Sequence, residues 1–183
     1  MISEAELIEG CKANKRDLQK ALYQRYAAKM FSVCLRYTKN REEAEDVLQD
    51  AFVKVFTNID QFAGKGSFEG WIRRIMVNTS LEALRSKKID YSAKEIQEIE
   101  DDASVDADVI SNIAMQDLLN HIRELPGGCQ VVFNLYVIEG YNHREIAEVL
   151  NVTTGTSKSQ LARARQLLQE KLKPIYDPKV LIK

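Results

Sequence analysis

The chain has 183 residues, of which 45% are hydrophobic and 29% charged, a globular balance that excludes a disordered or fibrous protein. No stretch approaches the roughly 20 apolar residues of a membrane helix, and the start, MISEAELIEG, lacks the basic and apolar regions of a signal peptide. A soluble, cytoplasmic protein without membrane insertion is therefore expected, and its net charge of −1 hides a strong segregation along the chain.

Residues 61–90 carry six bases against three acids, residues 91–117 one base against eight acids, and residues 141–173 again six bases against three acids. Two basic segments thus flank an acidic one. Cys11, Cys34 and Cys129 are odd in number and widely spaced, so neither a disulfide framework nor a CxxC metal or redox motif is expected, and no cofactor is implied. With only 8 Gly and 3 Pro, long stretches run without a breaker, which predicts an all-α fold.

In chain order, Leu18, Leu22, Tyr26 and the stretch from Ala27 to Leu35 have helical spacing up to Thr38. A second helix is predicted from about Arg41 to Phe56, with Ala44, Val47, Leu48, Ala51, Phe52, Val55 and Phe56 forming its apolar stripe. Glu42, Glu43, Glu45, Asp46 and Asp50 load this helix with acid and suit it to docking on protein better than on DNA. Asn58 and Asp60 favour a turn, and the loop from Gln61 to Ser67 contains Gly64 and Gly66. Ser67 can cap a third helix that carries Phe68, Trp71, Ile72, Ile75 and Thr79 on one face and runs to about Lys87.

That loop and helix combine flat side chains with cations, as a surface for separated bases requires. Phe62, Phe68 and Trp71 supply the first; Lys65, Arg73, Arg74, Arg85, Lys87 and Lys88 supply the second. Phe68 and Trp71 lie on the apolar stripe and fit a core better, which leaves Phe62 as the stronger platform.

The acidic stretch YSAKEIQEIEDDASVDAD, residues 91–108, is read as a linker between an N-terminal domain, 1–90, and a C-terminal domain, 109–183. In the second domain Ile110, Ile113, Leu118, Leu119, Ile122 and Leu125 outline a helix that stops before Pro126. Another helix follows from about Gly128 to Glu139, with Gly140 as its stop. Asn142 and Glu145, spaced as in a capping box, open a short helix from His143 to Leu150. After a turn at Asn151 and Val152, Thr153 caps a longer helix to about Lys171, ended by Pro174. This is helix-turn-helix grammar within a four-helix domain.

On the last helix Leu161, Ala164 and Leu168 share one face, with Ser157 next along that seam. Ser159, Ala162, Arg163 and Gln166 project the opposite way with Lys158 on a flank, a polar and cationic face suited to a major groove. Gly155 costs helix propensity near the start, which fits a close approach of backbone or phosphate there. Only His121 and His143 are available as histidines, and no GxxxxGK[ST], HExxH or GxSxG motif occurs, so no enzymatic activity is expected.

The run LPGGCQVVFNLYVIEGYNHREIAEVLNVTTGTSKSQLARARQLLQEKL closely resembles the C-terminal domain of extracytoplasmic-function sigma factors, promoter-recognition subunits of bacterial RNA polymerase. That family shows LP, VF-L, EG, EIA--L, GT-KS-L and RAR in this order and spacing. AEDVLQDAFVKVF is similar to the family segment that grips polymerase, and FAGKGSFEGWIRRIMVNTSLEALRSKK to the segment that melts and reads the nearer promoter element. The resemblance runs from about Leu7 to Leu172.

It implies that Asp46, Gln49 and Asp50 contact the clamp of core RNA polymerase. Phe62 to Ser67 would pocket a flipped base of promoter DNA, Asn78 would contact the element nearby, and Lys158, Ser159, Gln160 and Arg163 would meet the far upstream element. Arg165 and Lys171 would reach no further than phosphates. An anti-sigma factor is implied as a further partner.

Three positions depart from the family pattern: Ser157 stands where an apolar residue is usual, and Gln160 and Cys129 where Arg is usual. Ser157 is expected to weaken helix seating, and Gln160 to favour adenine over guanine. The rival reading is a helix-turn-helix regulator that binds closed duplex DNA without polymerase; it leaves the block from Phe62 to Lys88 unexplained.

Overall fold

The computed structural model describes residues 2–86 and 118–176, and the chain divides into two compact units, Met1–Lys88 and Ile89–Lys183. The linker reading of 91–108, the positions Val109, Ile110 and Ile113, and the cations Lys87 and Lys88 lie outside the described residues. Among the described residues every regular element is helical.

The first unit contains α1 (Glu4–Lys12), α2 (Arg16–Cys34), α3 (Arg41–Asn58), a 3-10 turn (Ile59–Gln61) and α4 (Phe68–Ser86). A capping box starts α1: Ser3 Oγ accepts from the Glu6 N–H at 3.2 Å, and Glu6 accepts from the Ser3 N–H at 2.7 Å. Asn40 caps α3 one way only, its side chain accepting from the Glu43 N–H at 2.8 Å. Leu22, Tyr26 and Met30 of α2, Leu48, Phe52 and Val55 of α3, and Phe68, Ile72 and Met76 of α4 bury their side chains together. Burial of each large apolar side chain contributes about 1.5–3 kcal/mol, so the packing of α2, α3 and α4 dominates this unit's stability.

The second unit shows a helical stretch α5 at 118–123, then α6 (Gly127–Phe133), a π-helical segment (Asn134–Ile138), α7 (His143–Leu150) and α8 (Thr154–Tyr176). The sequence predicts one continuous helix from Gly128 to Glu139; the chain instead widens at Asn134, where the Glu139 N–H donates to the Asn134 carbonyl five residues back at 3.0 Å. Gly140 stops it with φ +77. The last helix continues through Pro174 to Tyr176 rather than ending there. Near a helix end, on a turn that begins at exposed Glu170, the missing proline N–H removes a single intrahelical bond whose carbonyl water can satisfy. Ile122, Leu125, Cys129, Ala164 and Leu168 form the core that seats α8.

Candidate nucleic-acid interface

The α3 helix presents two faces. Ala44, Val47, Leu48, Ala51, Phe52 and Val55 are buried, whereas Asp46, Gln49 and Asp50 are exposed. Neighbouring charges are satisfied locally: the Arg41 guanidinium pairs with Glu45 at 2.8 Å and stands 5.1 Å over the Phe31 ring, and Glu43 accepts from the Lys39 N–H at 3.2 Å. Val53, 64% exposed, lies seven residues after Asp46 and so extends its stripe. Sequence reasoning missed Val53. Its only signal is an apolar residue out of register with the buried stripe. Acid around an exposed apolar centre suits a protein partner, not a phosphate backbone.

The loop after the 3-10 turn is shaped by Gly64 and Gly66, at φ +72 and +89, conformations that a side chain would strain. Ser67 starts α4, its Oγ accepting from the Gly70 N–H at 3.1 Å. Phe68 is buried at 1% exposure, which matches its expected core role. The half-buried Phe62 ring lies 5.0 Å from Phe68 and 5.7 Å from Trp71, so the expected platform is braced by both rather than free in the loop. Trp71 stacks on Phe68 at 5.7 Å with 14° between planes, yet it keeps part of its surface in solvent.

Along α4, Trp71, Arg74, Asn78 and Arg85 follow one side of the helix at i, i+3, i+7 and i+14, and the last three are exposed. Arg73 is half-buried on another side, and Lys65 is exposed in the loop. The structure therefore gathers Phe62, Trp71, Arg74 and Asn78 and sets Arg73 apart.

The base of this loop is tied to the N-terminus by a connection that the sequence reading missed. The Tyr26 hydroxyl donates to Glu4 at 2.6 Å, and its ring meets Phe68 edge-on at 5.9 Å. Burial, and then the Glu4 carboxylate, push the Tyr26 phenol up to about 12, so the donor keeps its proton.

In the second unit, Asn142 accepts from the Glu145 N–H at 3.0 Å, and Glu145 accepts from the Asn142 N–H at 2.8 Å, a full capping box at the start of α7. Asn151 takes the left-handed conformation with φ 53, and Thr153 accepts from the Thr156 N–H at 3.0 Å to cap α8. Lys158, Ser159, Ala162, Arg163 and Gln166 are exposed, while Leu161, Ala164 and Leu168 are buried, as the wheel predicts. A Cβ on Gly155 would meet nothing nearer than Thr153 Oγ1 at 3.5 Å, so the fold itself leaves room for a side chain there.

Four residues of α8 behave differently from expectation. Ser157 is fully buried, but its hydroxyl lies 2.9 Å from His143 Nδ1, so the polar group is satisfied and holds α8 against α7. Gln160 is half-buried, and the Cys129 thiol donates to its Oε1 at 2.9 Å. Lys171 pairs with Glu124, and the Arg165 guanidinium stands 5.9 Å over the Tyr136 ring, so both cations are engaged within their own domain.

Known families match both halves. A family described as Sigma-70 region 2 matches residues 22–89, and one described as Sigma-70, region 4 matches residues 115–168. The ECF RNA polymerase sigma factor SigW of Bacillus subtilis is 29% identical over 161 residues, covering 82% of this chain and 86% of the relative. The ECF RNA polymerase sigma-E factor of Escherichia coli (strain K12) is 26% identical over 185 residues, covering 95% and 96%. The chain belongs to the extracytoplasmic-function sigma factors.

Solved structures share the sigma-factor fold. The sigma factor RpoE in complex with the anti-sigma factor NepR from Bartonella quintana is 22% identical, with a TM-score of 0.52 over 84% of this chain and 96% of that one. CnrH, solved in complex with the cytosolic domain of CnrY, is 19% identical, with a TM-score of 0.50 over 92% and 96%. Within this sigma factor, α3, the loop and α4 fall in the region 2 match, and the helix-turn-helix falls in the region 4 match.

Proposed function

We propose that this sigma factor carries core RNA polymerase to promoters through three separate surfaces. The stripe Asp46, Gln49, Asp50 and Val53 holds the polymerase. Phe62 and Trp71, with Lys65, Arg74, Asn78 and Arg85, receive opened DNA near the start site. Lys158, Ser159, Gln160 and Arg163 meet the far upstream element as duplex.

The observation that carries this reading is the presence in one chain, in order, of a region 2 and a region 4, each with its own exposed cationic face. Removing a base from its stack costs a few kcal/mol. An aromatic surface that stacks the base returns about 1–3 kcal/mol. Capture at Phe62 and Trp71 therefore favours opening without nucleotide hydrolysis.

The chain is read as a regulator of initiation rather than a catalyst of its own, and the His143 ring has a structural place between Tyr136, at 4.6 Å, and Ser157. It acts in the cytoplasm with polymerase and DNA, and no described helix is long and apolar enough to cross a membrane. Because RpoE was solved with the anti-sigma factor NepR, an anti-sigma factor is proposed as the partner that covers these surfaces until release.

Gel-shift titration of promoter duplex, with and without core polymerase, tests the reading. Tight, site-specific binding is expected only with core present. Equally tight binding by the protein alone would instead favour a helix-turn-helix regulator of closed DNA.

A further inference from the structure

Cys129 and Gln160 lie thirty-one residues apart and touch at the back of the recognition helix. Cys129, in the first turn of α6, is 1% exposed and packs with Ile122, Leu125, Ala164 and Leu168. Its Sγ donates to Gln160 Oε1 at 2.9 Å. Burial raises the thiol above its ordinary range, an effect that the nearby Arg163 charge opposes, so the sulfur keeps the proton that it donates.

A thiol that donates must meet the oxygen end of the amide, and this fixes which way Gln160 faces. Its Oε1 is taken by a buried partner, so the N–H groups are the end of this half-buried amide left to offer outward, one turn before the exposed Arg163. Glutamine reads adenine with both ends at once: the amide nitrogen donates to N7 while the oxygen accepts from the N6 amino group. An amide whose oxygen faces the core offers donors alone. Guanine presents two acceptors in the major groove, O6 and N7, and no donor there.

We propose that Cys129 is a positioning residue that sets Gln160 as a donor-only reader, so that the far upstream element carries guanine rather than adenine where Gln160 meets it. This rests on the reading of α8 as the helix that enters the major groove. It reverses the preference that the Gln160 side chain alone suggests.

The test is selection of upstream duplexes from a randomised library by the full-length protein bound to core polymerase, followed by sequencing of the retained DNA. Wild type and Cys129→Ser, which keeps a donor, are expected to favour guanine at one shared position. Cys129→Ala removes the donor, frees the amide to turn, and should move the guanine-to-adenine ratio at that position by about tenfold toward adenine, within the range of one base-edge contact. Cys129→Val gives the same answer if alanine lowers folding, because it fills the site and also lacks the donor. Gln160→Ala should erase the preference at that position alone.

An unchanged ratio in Cys129→Ala and Cys129→Val, an adenine shift in Cys129→Ser, or no effect of Gln160→Ala at any position would each overturn the proposal. Lys158→Ala and Arg163→Ala, run in parallel, separate this outcome from failure of the parent reading. If they lose selected DNA, α8 still enters the groove whatever Cys129 does; if they retain it, the recognition helix itself is misassigned.

Discussion

The Nδ1 of His143 lies 2.9 Å from the hydroxyl of Ser157, joining the first residue of α7 to the first turn of α8. The His143 ring is also stacked on Tyr136 at 4.6 Å, whose own ring lies under Arg165. The two helices of the helix-turn-helix are thus held by a polar contact where packing alone would otherwise act. Ser157→Ala is expected to destabilise the C-terminal unit by about 0.5–1.5 kcal/mol, the net worth of a satisfied buried hydrogen bond. Urea unfolding of Ser157→Ala, His143→Ala and the double variant checks it, with positive coupling expected. Additive losses would show that the hydroxyl does not hold the ring.

The acidic stripe of α3 makes a separate prediction, because its side chains are exposed and their exchange leaves the core untouched. Asp46→Arg and Asp50→Arg together should weaken binding to core polymerase at least tenfold, about 1.4 kcal/mol, with little change in melting temperature. Val53→Asp should do the same. Fluorescence titration with labelled protein measures both, and unchanged affinity would remove polymerase docking from this face.

Lys158→Ala and Arg163→Ala should each weaken upstream-element binding by the roughly 1–3 kcal/mol of a base contact. Gly155 separates folding from binding more sharply. Because the fold has space for a Cβ there, Gly155→Ala should raise stability by up to about 1 kcal/mol through helix propensity. It should lower DNA affinity if a phosphate approaches that backbone. Gel shifts beside thermal melts read the two effects independently.

How much of this was legible in the sequence depended on the range of each signal. Asn142 with Glu145, the turn at Asn151 and the cap at Thr153 are contacts within three residues, and the helix-turn-helix followed from them directly. The same kind of signal, Ser3 with Glu6, marked α1 and was overlooked. The π-helical segment at Asn134 was not legible, because it turns on one extra residue per hydrogen-bonded ring and leaves no periodic trace over five residues. Contacts between distant residues were equally hidden: Cys129 with Gln160, Tyr26 with Glu4, and Phe62 with Trp71 each depend on how helices meet. Helical spacing showed which side of α8 faces solvent, but not that the Gln160 side chain turns toward Cys129.

Acid should loosen the second unit at the Glu124–Lys171 pair. The hydrogen bond from Lys171 outweighs burial and holds the Glu124 carboxyl below its ordinary value of 4.5. A depressed folded value stabilises above the unfolded value and is lost as pH falls through the folded one. Stability should therefore drop below about pH 4.5, by no more than about 0.5 kcal/mol, since the pair is largely exposed and screened. Glu124→Gln should flatten that limb of the curve; a wild-type profile in the variant would exclude the pair as its source.

Single-round transcription from genomic promoter fragments, with core polymerase alone and with this protein added, bears most directly on whether the two modules together make a promoter-reading subunit. Discrete transcripts from defined start sites are predicted only when the protein is present, and Phe62→Ala should reduce them more on closed duplex than on a pre-opened template. Failure to produce any start-specific transcript from any fragment, with core binding intact, would contradict that account.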